Sequence, residues 1–260
     1  MTPPPGTVDH LVAVLGAVGV GVVGVIETGG APAFPAGRPT WVVAVRPAAP
    51  RAPGGPDVLA DAARSVARRT SGPETVLAPD RDLRTPMSLG RRWWRVPARD
   101  AGTAGEPPVP LLDARHGTAA ARWTLRHHGR SRYGDEPAAL VCETGPTALR
   151  TEALGRARTL AEAYDDAGAD GLAEHLAEHL DGPDLARVLV GLVHQAARGT
   201  VGDPAQARRT CGEVDEVLLC DLDALTPGTG DRTSDPAGLR RVLWETHRVV
   251  GGLAVRAAGP

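Results

Sequence analysis

The stretch that decides the fold is DLARVLVGLVHQAARGTVGDPAQARRTCGEVDEVLLCDLD, residues 184–223. Its first part has apolar residues at 185, 188, 189, 192 and 193, the spacing of a helix packed on one face. Gly199 ends this helix, and Asp203 followed by Pro204 is typical of the N-cap and first position of a second, short helix. The apolar run at 217–220 favours a strand covered on both faces. This order predicts part of an α/β domain and contains no obvious catalytic group.

Helical and strand patterns alternate along the rest of the chain. The predicted elements are strands at 41–45, 75–78, 119–127 and 138–143, helices at 57–69, 147–165 and 169–180, and either a strand or a helix end at 91–96. Such alternation favours an α/β fold, and 260 residues suffice for one large or two small domains. We predict an N-terminal and central domain over residues 1–167, built on a mixed sheet, and a C-terminal domain over residues 168–260.

A pattern of small, apolar and acidic residues runs through the C-terminal part. A glycine-containing turn precedes a short helix, the phrase GEVDEVLL follows at 212–219, and the last helix leads to GGLAVR at 251–256. The residues of this pattern are Val201, Gly202, Gly212, Val214, Asp215, Leu218, Leu219, Gly251, Gly252 and Val255. The pattern resembles the C-terminal domain of bacterial relatives of the archaeo-eukaryotic release-factor and pelota family. This resemblance implies a C-terminal αβα domain similar to the kink-turn RNA-binding domain of ribosomal proteins.

The resemblance also carries an expectation about function. Members of that family bear a Gly-Gly-Gln sequence on a mobile loop of the central domain, where it positions water against peptidyl-tRNA, and this chain has no Gly-Gly-Gln. The resemblance therefore implies a non-catalytic factor that associates with the ribosome or with structured RNA, similar to hibernation factors, without peptide-release activity. No catalytic residue, no cofactor and no DNA partner is predicted.

Positive charge is concentrated in one segment, although the whole chain has a formal net charge of −2. Residues 81–132 contain eleven arginines against four acidic residues, and RHHGRSRY at 126–133 is a glycine-hinged part of this segment. Guanidinium groups pair with phosphates, and His and Tyr rings stack on unpaired bases. The predicted RNA contacts are Arg126, His127, His128, Arg130, Arg132 and Tyr133, with Arg91, Arg92 and Arg95 as a secondary patch. The alternative is a plain surface hairpin with solvated arginines.

A second functional hypothesis is a zinc-dependent hydrolase. HLAEH at 175–179 fits the H-x-x-E-H motif of some metallopeptidases. His175 and His179 lie one turn apart on a helix, so both side chains can reach one metal ion. Glu178 would then be the general base and Glu245 a third ligand. The alternative is a solvent-facing helix whose histidines bind no metal. The third functional hypothesis is a plain interaction or scaffold protein.

Residues 11–26, LVAVLGAVGVGVVGVI, form the longest apolar run. The run is shorter than the roughly 18–20 residues that span a bilayer, and no basic residue precedes it as in a signal peptide. We predict two close-packed strands, or a helix and a strand that meet near residues 16–21, and no membrane partner. The three cysteines form no C-x-x-C motif, so we expect free thiols and a cytoplasmic location.

Two weaker patterns are better explained without a ligand. G-x-G-x-x-G occurs at Gly19, Gly21 and Gly24, but the helix required after the third glycine is cut short by the glycines at 29 and 30. Acidic residues at 215, 221 and 223 fit capping and turn positions better than a Mg²⁺ site.

Overall fold

The computed structural model describes residues 4, 6–28, 39–47, 57–85, 92–100, 106–112, 118–179, 185–225 and 236–258. The chain divides into two compact units, Met1–Glu143 and Thr144–Pro260. The boundary that we predicted at 167/168 falls inside a helix of the second unit, at a kink where Gly168 has φ 65° and ψ −150°. The two helices predicted on either side of residue 168 are therefore the two arms of this kinked helix.

The N-terminal unit combines helices with one six-stranded sheet. Its elements are α1 (Val8–Gly16), β1 (Val20–Thr28), β2 (Thr40–Pro47), α2 (Val58–Arg69), β3 (Glu74–Pro79), α3 (Asp80–Leu83), β4 (Arg92–Val96), β5 (Val109–Leu112), α4 (Ala119–His128), β6 (Arg130–Gly134) and α5 (Pro137–Leu140). The strand order is β5-β4-β3-β2-β1-β6. Strands β2 and β3 are parallel, whereas the other neighbouring pairs are antiparallel. The predicted α/β class with a mixed sheet is confirmed.

The sheet is covered on both faces, because alternate residues of β2 enter different apolar clusters. Val43 and Val45 pack in the cluster that also contains the buried side of α1 and α2. Val42 and Ala44 pack in the cluster that contains residues of α3, α4 and α5. The continuous apolar run of β2 is what a strand buried on both faces requires.

The apolar run at 11–26 forms the end of α1 and most of β1. Of the two predicted alternatives, the structure has the helix and strand that meet near residues 16–21 and not the two close-packed strands. Within the parts of the chain that the structure describes, every helix is too short or too polar to cross a bilayer.

The described residues of the C-terminal unit form helices only. These are α6 (Pro146–His179), α7 (Leu185–Arg198), α8 (Pro204–Val214), α9 (Glu216–Asp223) and α10 (Pro236–Ala258). Leucine, valine and alanine side chains from all five helices share one buried cluster. The predicted helix after residue 184 and the Asp203 cap with Pro204 are confirmed as α7 and the start of α8.

The strand predicted at 217–220 is wrong, because these residues belong to α9. The side chain of Asp215 accepts a hydrogen bond from the Leu218 backbone N–H at 3.0 Å, which caps the helix. Leu218 and Leu222 are buried one turn apart, whereas Val217 is 73% exposed. The run therefore has one buried face at helical spacing, and the expected αβα arrangement is absent from the described part of this unit.

Two predicted strands of the N-terminal unit are also wrong. Residues 119–127 lie in α4, which begins where the Thr118 hydroxyl accepts from the Ala121 N–H at 3.0 Å. Residues 138–143 include most of α5, a single turn with Pro137 at its first position. The apolar composition of both segments favours strands, but the Thr118 cap of α4 and the Pro137 start of α5 favour helices.

Gly134 ends β6 in a conformation that an alanine would strain. Its φ is 72°, and a Cβ would lie 2.1 Å from the Val23 carbonyl oxygen. We therefore expect Gly134→Ala to lower the free energy of unfolding by more than about 1 kcal/mol. Gly16→Ala is the control in the same unit, since a Cβ at Gly16 meets nothing within 4 Å. Chemical denaturation of both variants checks this, and equal stabilities would contradict it.

Candidate ligand site between α7 and α8

His194 is a buried titratable side chain between α7 and α8. It is 6% exposed and follows Val193 and Leu192 on the buried side of α7. Gly199 ends α7 with φ 66°, and the chain then turns through residues 200–202 into α8. This turn and α8 bring the hydroxyl groups of Thr200 and Thr210 to the two nitrogens of the imidazole.

The ring nitrogens of His194 each face a threonine. Nδ1 lies 3.0 Å from Thr210 Oγ1, and Nε2 lies 3.4 Å from Thr200 Oγ1. A hydroxyl can either donate or accept, so both contacts suit a neutral imidazole with one N–H. Gly202 packs against the ring, because a Cβ there would lie 2.6 Å from Nε2. The glycine at 202 is thus explained by close approach of the backbone to His194.

The environment keeps His194 neutral. Burial lowers the pKa of His194 below its ordinary value of 6.5, and the positive charge of Arg198 lowers that pKa further. The charge of Asp203 and the backbone carbonyl of Gln206 oppose this effect without cancelling it. Near pH 7 the ring therefore contributes one hydrogen-bond donor and one acceptor and no charge.

A cavity of about 350 Å³ opens beside this ring. Its lining residues are polar or charged and come from α7, α8 and the turn between them: His194, Arg198, Thr200, Gln206, Arg209, Thr210 and Glu213. Arg198 pairs with Glu213, and both residues line the cavity. Arg209 is exposed and has no hydrogen-bond or ion-pair partner among the residues that the structure describes. The cavity thus combines one unengaged guanidinium with neutral hydroxyl and imidazole groups.

The residues predicted to contact RNA lie in the N-terminal unit, and three of their guanidinium groups have protein partners. Arg126 Nη1 donates to the Val141 carbonyl at 2.6 Å and also to the Ala138 carbonyl. Arg132 makes a two-pronged contact with Glu27, with Nη2–Oε1 at 2.6 Å and Nε–Oε2 at 3.0 Å. Arg95 Nε donates to Glu74 at 2.6 Å. These arginines hold the fold together locally.

The remaining predicted contacts form a more open group. His127 and His128 pack against Trp123 with ring centroids 4.6 and 5.3 Å apart, while Arg130 and Tyr133 are exposed on β6. Burial lowers the pKa of His127, and the charge of Arg126 lowers it further. Arg91 and the side chain of Arg92 lie outside the described residues. No contact of these side chains with RNA is tested by the structure, so their role stays a prediction.

The H-x-x-E-H motif lies near the end of α6, where the side chains of His175, Glu178 and His179 are outside the described residues. Glu245, the predicted third ligand, instead pairs with Arg248, whose hydrogen bond lowers the pKa of this carboxyl. Among the side chains that the structure does describe, no group of three or more His, Cys, Asp or Glu residues could hold a metal ion. Zinc binding by this motif stays a prediction.

Comparisons with known proteins found little similarity. No family model matches the sequence, and no curated protein matches it. Among solved structures, the crystal structure of spectinomycin adenyltransferase AAD(9) from Enterococcus faecialis, determined with ATP and spectinomycin, has a TM-score of 0.49 to this chain. The sequence identity is 8%, over 88% of this chain and 92% of that chain.

These findings correct the interpretation of the chain as a release-factor-like, non-catalytic, ribosome-associated factor. No family model of release factors matches the sequence, and the described residues of the C-terminal unit form helices where the resemblance implies an αβα domain. The pattern at 212–219, which carried the resemblance, forms the end of α8 and the start of α9. The resemblance and the function inferred from it are wrong.

Sequence reasoning missed His194 and Thr210 as a pair. The available signal was a single histidine beside the apolar stripe of α7, which is also the pattern of an ordinary core histidine. Its partner lies 16 positions later, on another helix. Only the path of the turn at 199–202 brings the two side chains together.

The lowered pKa of His194 makes stability depend on pH. In the unfolded chain this side chain takes up a proton near pH 6.5, whereas in the folded state its pKa is lower. The contribution is therefore fully present above pH 6.5 and is lost as pH falls below it towards the folded-state pKa. We expect the free energy of unfolding of the C-terminal unit to fall less between pH 7.5 and 5.5 in His194→Gln than in the wild type.

Urea denaturation at both pH values measures this difference. His127 and the carboxyl groups titrate in both proteins, so the comparison isolates His194. An identical loss of stability in both proteins would show that His194 has an ordinary pKa.

Proposed function

We propose that the C-terminal helical unit binds a small ligand bearing an oxyanion, such as a phosphate or carboxylate group, in the cavity between α7 and α8. The observation that carries this proposal is the exposed guanidinium of Arg209 at a cavity lined by His194 and Thr210. Arginine forks match the geometry of carboxylate and phosphate oxygens, and a charged group in a hydrogen bond makes that bond stronger.

The neutral groups of the cavity suit the same ligand. The neutral imidazole has one N–H, and the threonine hydroxyl that accepts from it is left with its own hydrogen to donate to a ligand oxygen. The other threonine hydroxyl donates to the unprotonated ring nitrogen. Arg198 adds positive charge near the site, although its pair with Glu213 offsets most of it. The arrangement supplies several donors and, in Arg209, a cation without a partner among the described residues, which favours an anion over a neutral or cationic ligand.

The dimensions limit the size of the ligand. A cavity of about 350 Å³ lies at the lower end of the range of roughly 300–1,000 Å³ for small-molecule sites. The cavity therefore fits a small metabolite or a single phosphate-bearing group.

Cys142, Cys211 and Cys220 are all free, which fits a reducing compartment, and we propose the cytoplasm as the location of this binding function.

The test compares Arg209→Ala with Arg158→Ala, using inorganic phosphate as the probe at constant ionic strength. Arg158 is exposed on α6, where it pairs with Glu162 outside the cavity. We expect calorimetry to show saturable binding to the wild type and to Arg158→Ala. Loss of a charged hydrogen-bond donor should weaken binding to Arg209→Ala by about tenfold or more.

Two results would contradict the proposal. One is equal binding to the wild type and Arg209→Ala. The other is a response to phosphate that sodium chloride reproduces at the same ionic strength, which would indicate general screening rather than a site.

A further inference from the structure

A second cleft of the C-terminal unit lies along α10. Its volume is about 550 Å³, and the described residues that line it are Ala237, Arg240, Arg241, Trp244, Glu245 and Arg248. None of these residues lines the cavity between α7 and α8. The cleft combines an indole ring with three guanidinium groups, whereas no indole lines the cavity proposed to bind the oxyanion.

The indole of Trp244 is held in a fixed orientation. Its Nε1 donates to Asp165 Oδ2 at 3.1 Å, and the ring of His247 meets it edge-on with centroids 5.5 Å apart. Asp165 is itself held by Arg240, through contacts of 2.7 and 3.0 Å. The hydrogen bonds from Arg240 and Trp244 lower the pKa of Asp165, so this anchor remains charged. A ligand that stacks on Trp244 would meet a preorganised ring.

The other two arginines also pair with carboxylates. Arg241 contacts Asp221 through one distance of 3.3 Å, and its side chain is 70% exposed. Arg248 makes two contacts with Glu245, three positions earlier on the same helix, through Nε to Oε2 at 2.9 Å and through Nη2 to Oε1, and its side chain is 69% exposed. A single exposed contact contributes little to stability, so a ligand anion can replace Asp221 at Arg241 at small cost and can share the exposed guanidinium of Arg248. Arg240 differs from both because Asp165, which it holds, also accepts from Trp244.

We propose that the α10 cleft binds a planar aromatic anion, with its ring against Trp244 and its anionic group at Arg241 and Arg248. Trp244 lies three positions after Arg241 and four before Arg248, so all three side chains project from one face of α10. A flat ring stacks on an indole, and the adjoining guanidinium groups select the anionic form over a neutral analogue. The volume is sufficient for a one- or two-ring compound.

The experiment uses 2-naphthoate as the probe and 2-naphthalenemethanol as its neutral analogue. Calorimetry should show that the wild type binds the anion more tightly than the alcohol. Trp244→Leu should weaken binding of the anion by at least about fivefold, the lower bound for loss of a stacked ring. Arg241→Gln should weaken binding of the anion and leave binding of the alcohol unchanged, because the substitution removes only the positive charge.

Control variants separate this site from the proposed oxyanion site. Arg256→Gln alters an exposed arginine near the end of α10, outside the cleft, and should bind the anion as the wild type does. Because the cavity at Arg209 is proposed to bind carboxylates as well, the comparison is repeated in the Arg209→Ala background, where Trp244→Leu and Arg241→Gln should still weaken naphthoate binding. Circular dichroism of Trp244→Leu checks its fold, and Arg241→Gln tests the proposal if that variant unfolds. Equal affinity of the wild type and Arg241→Gln for naphthoate would overturn the proposal.

Discussion

The buried imidazole of His194 is the constraint that organises α7, α8 and the turn between them. A ring that is 6% exposed must stay neutral and must satisfy both nitrogens. Thr210 on α8 and Thr200 in the turn meet these requirements, and the turn approaches so closely that Gly202 has no room for a side chain. Arg209 precedes Thr210 on α8 and lines the same cavity as the ring, so the packing constraint and the proposed ligand site involve the same helix pair.

Protonation of His194 destabilises the folded unit when the cavity is empty, whereas a bound oxyanion would favour the same protonation. Burial and the charge of Arg198 disfavour the imidazolium form of His194. An oxyanion at Arg209 would lie near the same ring and would favour that form. The proposed ligand therefore binds more tightly as pH falls through the pKa of His194, while the empty unit becomes less stable. This coupling follows from the burial of a titratable group at the edge of a cavity.

Sequence patterns predicted the elements whose signals were local. The apolar run of β2, the helix predicted at 57–69 and the Asp203–Pro204 start of α8 all appear where the residues indicate. The run at 217–220 was misread because four apolar letters fit a strand and a helix equally well. Asp215 decides between them by capping α9, and exposure of Val217 shows which face is buried. The contact between His194 and Thr210 depends on the turn at 199–202, so neither spacing nor composition could predict it.

The most direct test of this account is the titration of the His194 ring followed by NMR, with the signal assigned by its loss in His194→Gln. Sulfate is the probe, with ionic strength held constant by sodium chloride. The account predicts a midpoint below pH 6.5 in the absence of sulfate, because burial lowers the pKa. It further predicts that sulfate raises the midpoint and that Arg209→Ala reduces this rise. A midpoint at or above pH 6.5 without sulfate, or one that sulfate does not change, would contradict the account.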